Sequence, residues 1–155
     1  MSEQLLPVDE VRERILAGVE PILPIELPLT EAYGCVLAED LASPFDLPTF
    51  ASSAMDGIAV RAADVSGASP DRPVELPVVG RAMIGRRSEV PVGAGEAVRI
   101  ATGAPIPQGA DAIVPIEECE FLPAEDGPGA VRVLADPGVG RHVRPAGEDL
   151  RAGDP

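Results

Sequence analysis

Apolar residues recur at helical spacing near the beginning of the chain. Their intervals of three and four predict an amphipathic helix over residues 8–19, with apolar positions at Val8, Val11, Ile15 and Val19. Asp9 and Glu10 fall in its first turn, where the helix dipole favours negative charge. Gly18 and Pro21 are expected to end the helix, since both residues break helical backbone.

The pattern changes near residue 44 to short aliphatic runs separated by glycine and proline. Pro44 and Pro48 mark this boundary, because proline cannot occupy a central strand. Pro77 and Gly80 interrupt a later run in the way that is typical of edge or bulged strands. The predicted strands cover residues 36–41, 58–61, 74–82, 97–101, 112–121 and 131–134. Many short strands joined by turns indicate a mainly β fold that follows a short α/β segment at the N-terminus.

Two details concern the later part of the chain. Glu117 and Glu118 fall within the strand at 112–121 and should point to its opposite faces, since neighbouring side chains alternate along a strand. Residues 125–129 combine acidic residues with glycine and proline and predict a hairpin loop. The irregular tail at 136–155 ends without a closing element, so we expect the chain to be cut short from a longer protein.

The composition indicates an aliphatic core. Of the 155 residues, 45% are hydrophobic but only 3% are aromatic. The 16 glycines and 18 prolines are interpreted as turns, because aliphatic residues are too abundant for a disordered chain. The net charge is −14, and all 12 basic residues are arginine. Such a chain repels nucleic acid and anionic membranes, so an anionic substrate would need local attraction by arginine, backbone N–H groups or a bridging cation.

Cysteine and histidine are scarce. Cys35, Cys119 and His142 are the only residues of these types, which nearly excludes a structural zinc site. Two cysteines cannot build a disulfide framework, so a reducing cytoplasm is expected. His142 is expected at the surface. The polar N-terminus does not read as a signal peptide, and no segment is apolar enough to span a membrane.

Chemistry-bearing residues concentrate in three segments. Residues 52–57 read Ser-Ser-Ala-Met-Asp-Gly, which is either a structural Asp-Gly turn or a loop whose hydroxyls, N–H groups and Asp56 hold an oxyanion or hydrated Mg²⁺. Residues 102–111, starting Thr-Gly-Ala-Pro, are either a strand end with a turn made rigid by proline or a functional loop, since so long a rigid loop is unusual as a mere connector. Arg144 precedes Gly-Glu-Asp at 147–149, which is either a solvated acidic turn or part of an anion–metal site.

The chain lacks other catalytic signatures. No Gly-x-Ser-x-Gly segment, no Walker-type phosphate loop and no nucleophile–base pair is present in the sequence. Covalent catalysis is therefore not expected. Any chemistry should be metal-assisted, with carboxylates as ligands or orienting groups.

These three segments together resemble the MoeA family of molybdopterin molybdotransferases. The resemblance is carried by residues 50–61, by residues 95–114 and by Val143-Arg144 with Gly147-Glu148-Asp149, in order and with compatible spacing. It extends from about residue 8 to residue 154. The E domain of gephyrin and its plant counterpart are related to this family.

The resemblance implies an activity and an architecture. Family members insert molybdenum from molybdate into adenylylated molybdopterin, release AMP and require Mg²⁺. They are homodimers of four-domain subunits, with the molybdopterin adenylyltransferase and maturation proteins of molybdenum enzymes as further partners. By this resemblance, the N-terminal helix and strands wrap around an inserted small β-domain. The implied divisions are 1–44 and the return segment 143–155 in the first domain, and 45–142 as the β-domain.

The resemblance also assigns roles to residues. It implies catalytic roles for Asp56, Thr102 and Asp149, and metal ligation by Asp56 and Asp149. Substrate binding would fall to other residues of the same segments: Ser53, Met55, Gly57, Gly103, Pro105 and Arg144. In the family these residues face the pterin-binding domain of the other subunit, so this chain alone is expected to be inactive.

The sequence departs from the family pattern at three places. Ala51, Ser52 and Ser53 replace the usual Asp-Asn-Ser, Ile58 replaces an aromatic residue, and Pro145 and Ala146 follow Arg144 where arginines are usual. Fewer arginines there imply weaker anion contact. Two other functions stay open: a non-catalytic dimerisation or scaffolding module like that of gephyrin, and a metal-binding β-domain unrelated to molybdenum.

Overall fold

The computed structural model describes residues 6–86, 89–123 and 129–155. It divides the chain into two compact units, the first ending at Asp40 and the second spanning Leu41–Pro155. Apart from Gly129, the hairpin loop predicted at 125–129 lies outside the described residues. No helix among the described residues is both long and apolar enough to cross a membrane.

The first unit contains the helix α1, Val8–Leu16. Asp9 and Glu10 lie in its first turn as predicted, but the helix ends three residues early. Gly18 and Val19 donate to the carbonyls of Ile15 and Leu16, so the chain leaves the helix through tight three-residue turns.

The strand predicted at residues 36–41 does not form. In the described part of the first unit, no β-pairing is present, and residues 36–41 are irregular. The prediction was wrong because an aliphatic run specifies a strand only when a neighbouring strand satisfies its backbone N–H and C=O groups.

The second unit is built on a six-stranded sheet that curls into a half-barrel. In chain order its strands are β2 Gly57–Val60, β3 Val74–Ala82, β4 Ala97–Ile100, β5 Ala112–Pro115, β6 Cys119–Leu122 and β7 Ala130–Val133, and they follow β1 Ser52–Ser53. Their order across the sheet is β5-β2-β4-β3-β7-β6, with only the β3–β4 pair parallel. The mainly β prediction is confirmed.

Apolar side chains cover both faces of this sheet. Ile58 and Val60 pack in one cluster with Val114, whereas Ala59 packs in another with Ile113. Because successive side chains of a strand point to opposite faces, β2 must be apolar at every position to bury both. All four of its residues are buried. This explains a continuous aliphatic run where one solvated face would have produced alternation.

The longest strand, β3, is bulged but is not an edge. Its register with β4 shifts between Val78 and Gly80, where the sequence predicts an irregularity. The pairing with β7 uses Val74 to Pro77, and the pairing with β4 begins at Val78. Pro77 lies where β3 changes neighbours, and no residue of β4 is paired with it. The sheet therefore tolerates proline here, because the missing N–H costs no hydrogen bond to β4.

The strand predicted at 112–121 is two strands separated by a 3₁₀ turn, Ile116–Glu118. Glu117 and Glu118 therefore do not alternate across a strand, and that prediction was wrong. Ile116 donates its N–H to the Asp56 carbonyl at 3.0 Å, which draws the chain out of the sheet just after Pro115.

A second sheet has two strands, β1 and β8, which is Val143–Arg144. The pairing matches Ser52 with Arg144 and Ser53 with Val143. The segment after β8 then runs beside residues 43–48: Gly147 donates to the Pro48 carbonyl, Asp149 to that of Leu47 and Gly153 to that of Ser43. The tail that the sequence shows as irregular is thus held by backbone hydrogen bonds within the second unit.

Candidate functional site

The turn between β1 and β2 carries the first of the three segments. Ser53 at its start is buried, and its hydroxyl donates to the Met55 carbonyl at 2.6 Å and accepts the Met55 N–H at 3.3 Å. These local bonds fix the chain just before Asp56. The hydroxyl of Ser53 is therefore engaged within the protein, and its role in the turn is to shape it.

Asp56 extends from this turn to the loop after β4. Its Oδ1 accepts the backbone N–H of Thr102 at 2.7 Å and the Thr102 hydroxyl at 3.1 Å. These bonds stabilise the charged carboxylate, so the backbone N–H first and the hydroxyl second lower the pKa of Asp56 below its ordinary value. The carboxylate is exposed, and within the described residues its Oδ2 makes no hydrogen bond.

Backbone hydrogen bonds join the two loops. Ser53 donates to the Ala104 carbonyl at 3.0 Å, Gly103 donates to the Ser53 carbonyl at 2.8 Å, and Ile106 donates to that of Ala51 at 3.1 Å. Gly103 has a φ of 78°, a left-handed conformation that side chains disfavour. The Thr-Gly-Ala-Pro segment is thereby held against the Ser-Ser-Ala-Met-Asp-Gly segment as a single platform.

Gly57 allows the platform to pack closely on the sheet. A Cβ at this position would collide with the Val114 carbonyl oxygen and crowd Pro115. The glycine after Asp56 is therefore required by backbone approach between β2 and β5. Met55 is partly exposed beside it, and Pro105 forms an isolated bridge with Ser52.

The third segment reaches this platform through β8. Arg144, paired with Ser52 across the small sheet, donates from Nε to Glu148 at 2.6 Å and from Nη2 to both oxygens of Asp149 at 3.0 and 3.1 Å. The bond to Glu148 and the charge of Asp149 raise the pKa of Arg144. Asp56 and Asp149 thus belong to two separate hydrogen-bonded pairs. Pro145 and Ala146, at the departures from the family pattern, are exposed.

His142 connects the end of the small sheet to the turn that carries Asp56. It is half-buried, has a φ of 57°, and its carbonyl accepts the Ala54 N–H at 2.9 Å. Its ring accepts a hydrogen bond from Arg141 Nε at 3.1 Å, and Arg141 also pairs with Glu118 at 2.8 Å. The sequence predicts a surface histidine without a partner, whereas the structure places His142 half-buried, with one partner, Arg141, beside it in the chain and another, Ala54, in the turn after β1.

Arg81 and Arg99 are features that sequence reasoning missed. A surface cavity of about 270 Å³ next to Asp56 is lined by both arginines together with Gly57, Met83 and Ile116. The sequence does contain a signal for them, because each of the two apolar strand runs, at 74–82 and 97–101, includes one arginine.

The described residues offer single carboxylates and not a complete set of metal ligands. No group of three or more His, Cys, Asp or Glu side chains in the described ranges could hold a metal ion. Mg²⁺ commonly keeps several waters and takes one or two carboxylates together with substrate phosphates. Asp56 is exposed, its lowered pKa keeps it ionised, and its Oδ2 makes no hydrogen bond to the described residues, so it fits such a shared site. Both oxygens of Asp149 face Arg144, so this carboxylate would have to exchange that contact for a metal.

Known proteins are similar to this chain over most of its length. The family described as "MoeA N-terminal region (domain I and II)" matches residues 6–155. The chain is 46% identical over 130 residues to molybdopterin molybdenumtransferase 2 of Mycobacterium tuberculosis, covering 84% of this chain and 31% of the relative. It is 47% identical over 146 residues to the molybdopterin molybdenumtransferase of Synechococcus elongatus, covering 92% and 35%.

The fold has a similar solved structure. The crystal structure of a molybdopterin biosynthesis MoeA protein from Pyrococcus horikoshii superimposes with a TM-score of 0.82 at 34% identity, over 97% of this chain and 39% of that chain. The chain spans about a third of the length of the curated relatives that it matches.

Proposed function

This chain belongs to the MoeA family, and we propose that it supplies one wall of a site where molybdenum from molybdate is inserted into adenylylated molybdopterin with release of AMP. The relatives named molybdopterin molybdenumtransferase support the reaction class. They are about three times as long as this chain. The reaction is therefore assigned to a protein that contains this region together with others.

The pairing of Asp56 with Thr102 carries the proposal. It joins the two segments most typical of the family and leaves one carboxylate oxygen free at the surface. A structural Asp-Gly turn has no need for a carboxylate bound by a loop 46 residues away. The pairing keeps Asp56 ionised and fixes its direction, as a ligand or orienting group requires.

We assign the Mg²⁺ contact to Asp56. When bound, Mg²⁺ would neutralise charge on phosphate oxygens of the nucleotide-linked substrate. Thr102 holds the carboxylate in place through Oδ1 and leaves Oδ2 for the ion. Met55, Gly103 and Pro105 border the same platform and would contact the substrate, whereas Ser53 and Gly57 act by shaping it.

Arg144 and Asp149 form a second element of the wall. The arginine is engaged by two exposed carboxylates, and exposed pairs of this kind exchange readily for other partners. An anionic substrate group would compete with Glu148 and Asp149 for the guanidinium. Release of Asp149 would then make a second carboxylate available near the platform.

The openness of this wall indicates that a further surface completes the site. Asp56, Thr102 and Asp149 are all exposed. Insertion of a metal requires exclusion of water and alignment of two substrates, which an open surface cannot provide. We propose that a pterin-binding domain of another subunit in a homodimer covers it, and that this chain by itself shows no turnover.

A chimera tests the proposed function. The region of the Synechococcus elongatus relative that matches this chain would be replaced by residues 1–155, and AMP release would be measured with molybdate and adenylylated molybdopterin. We expect the chimera to turn over. Asp56→Asn should lower its rate about a hundredfold, the typical effect of losing one preorganised electrostatic group.

The matched control is Asp71→Asn. Asp71 is exposed, and none of the described residues bonds its carboxylate. This variant should keep the rate within about twofold, as expected for an ordinary surface substitution. Equal rates for the Asp56 and Asp71 variants would remove Asp56 from the reaction, and turnover by the isolated chain would contradict the shared site.

One observation favours an additional role in association. None of the residues of α1 is buried, and its apolar residues Val8, Ile15 and Leu16 are 83%, 64% and 58% exposed. An apolar stripe of this kind needs a covering surface. We infer that the first unit contributes to the homodimer, as in the scaffolding alternative. Analytical ultracentrifugation of the chain and of a Val8→Glu, Ile15→Glu variant tests this, and a monomeric wild-type chain would contradict it.

A further inference from the structure

We propose that Arg81 and Arg99 form a binding site for the oxygen atoms of a tetrahedral anion, a phosphate group or a free oxyanion, beside Asp56. The proposal deepens the proposed function and rests on it for the identity of the molecule that carries the anion. Binding itself is a property of this chain, and it is tested below without turnover.

The sheet brings the two arginines together. Arg81 on β3 and Arg99 on β4 are Cα partners in the parallel pairing, so their side chains lie on one face of adjacent strands about 4.8 Å apart. The bulge between Val78 and Gly80 sets this register. Both residues line the same cavity of about 270 Å³ as Asp56, a volume that accommodates a tetrahedral anion and its first waters.

Neither arginine has a carboxylate partner within 4.0 Å among the described residues. Acidic residues outnumber basic ones in this chain, 26 to 12, so carboxylate partners are not scarce. Of the other arginines of the described ranges, some, including Arg72 and Arg151, also lack an ion pair, whereas six form one: Arg12, Arg14, Arg61, Arg132, Arg141 and Arg144. Two adjacent guanidinium groups without counterions repel each other, and an anion bound between them would remove that repulsion.

Arg99 is held in a geometry that leaves its donors free. Its guanidinium carbon lies over the Phe121 ring, 4.9 Å from the ring centroid, in a cation–π contact. This contact involves no hydrogen bond from the N–H edges of the group, and the Arg99 side chain donates none to the described residues. The edges stay available for the bidentate hydrogen bonds that arginine makes with phosphate-like anions.

A purely structural role would differ between the two residues. Arg99 lies over the ring of Phe121, which packs against the Ile58 cluster, so its side chain also covers the end of a core. Arg81 has no such ring contact among the described residues and is exposed. A structural role therefore predicts a stability effect for Arg99 alone, whereas an anion site predicts a binding effect for both.

Substitution of Asp56 tests the direction in which its charge changes anion affinity. Asp56 lines the same cavity, so in the absence of a divalent cation its negative charge opposes an incoming anion. Asp56→Asn should strengthen anion binding at this cavity several-fold. The same substitution is expected to lower turnover in the chimera, so the two proposals predict opposite directions for one variant.

The experiment is a titration of the ¹⁵N-labelled chain with inorganic pyrophosphate and, separately, with molybdate. A salt concentration of about 0.15 M screens the distant acidic residues beyond about 8 Å. Side-chain Nε–H signals of arginine report where the anion binds. We expect the signals of Arg81 and Arg99 to shift and each of Arg81→Gln and Arg99→Gln to weaken binding about tenfold, the size expected for one charge-assisted hydrogen bond.

Arg72→Gln is the matched control, since Arg72 is exposed and also has no ion pair among the described residues. It should change binding by less than about twofold. Thermal unfolding of each variant shows whether it is folded, and Arg81→Lys, which keeps the charge, should retain part of the affinity. Tighter binding of pyrophosphate assigns the site to a phosphate group, and tighter binding of molybdate assigns it to the free oxyanion.

Three outcomes would overturn the proposal. These are the absence of shifts at Arg81 and Arg99, equal weakening by the Arg72 variant, and weaker binding in the Asp56→Asn variant. None of them would affect the role of Asp56 in turnover, because the chimera measures that role separately.

Discussion

Asp56 accepts two hydrogen bonds from one residue, Thr102, through the backbone N–H at 2.7 Å and the hydroxyl at 3.1 Å. The pairing follows from the sheet. Gly57 is the partner of Ile100 in the antiparallel β2–β4 pair, so the residue before Gly57 lies beside the residues that follow Ile100. Each loop therefore positions the functional group of the other.

The pKa of Asp56 should respond in part to removal of the Thr102 hydroxyl. The backbone N–H is the larger of the two causes that lower this pKa, and the hydroxyl is the smaller. In Thr102→Ala the pKa should rise toward its ordinary value of 3.8 but stay below it. A ¹³C NMR titration of the aspartate carboxyls measures this change. An unchanged pKa would mean that the Thr102 hydroxyl does not bond Asp56 in solution.

Acid stability should depend on the same carboxylate. Because the pKa of Asp56 is lower in the folded chain, its contribution to the free energy of unfolding is present above the unfolded-state pKa. It is lost as the pH falls through the folded-state value. Urea unfolding at pH 7 and between pH 4 and pH 2 should therefore show a smaller loss for Asp56→Asn than for the wild type. Asp71→Asn is the control and should follow the wild type.

Gly57→Ala should destabilise the second unit by about 3 kcal/mol, at the upper end of overpacking costs. Its Cβ would meet backbone atoms of Val114 and Pro115, which cannot move as a flexible side chain could. Gly140→Ala is the control. Gly140 has a φ of 80° but open space around it, so alanine there should cost only about 1–2 kcal/mol, the cost of a left-handed side chain. Equal losses in urea unfolding would mean that β2 and β5 do not approach so closely.

Ser53→Ala should lower the free energy of unfolding by about 1–2 kcal/mol, because the Met55 carbonyl and N–H lose a buried partner. Ser66→Ala is the control, since Ser66 is exposed and its bond to Asp136 is 3.5 Å long. Ser66→Ala should change stability by less than about 0.5 kcal/mol. If the Ser53 variant were equally neutral, the turn before Asp56 would not depend on its hydroxyl.

The two cysteines should differ strongly in reactivity. Burial raises the pKa of Cys119 to about 12, assisted by the charges of Glu118 and Glu117, whereas Cys35 is exposed. The thiolate is the reactive form, so at pH 8 Cys119 should react with iodoacetamide at least about a hundredfold more slowly than Cys35. Mass spectrometry of the labelled peptides gives both rates. In a denaturant the rates should converge, and similar rates in the folded chain would contradict the placement of Cys119.

Local pattern was sufficient where neighbouring residues decide the structure. The spacing of Val8, Val11 and Ile15 indicates α1, and the aliphatic runs indicate β2, β4 and β7 within one or two residues. It failed at residues 36–41, where no partner strand is present among the described residues, and at Glu117, where a hydrogen bond from Ile116 to Asp56 turns the chain. Both errors have the same cause, since pairing with distant residues decides whether an extended run becomes a strand.

The sequence by itself determined the family, the mainly β class and the three segments that carry carboxylates, hydroxyls and glycine turns, because composition and motif are local properties. Only the tertiary structure decided that Asp56 meets Thr102, and that Arg81 lies beside Arg99. Both contacts depend on strand registers, one of them shifted by a bulge, that join residues many positions apart. A shift of one residue would reverse the faces of the strands and separate these groups.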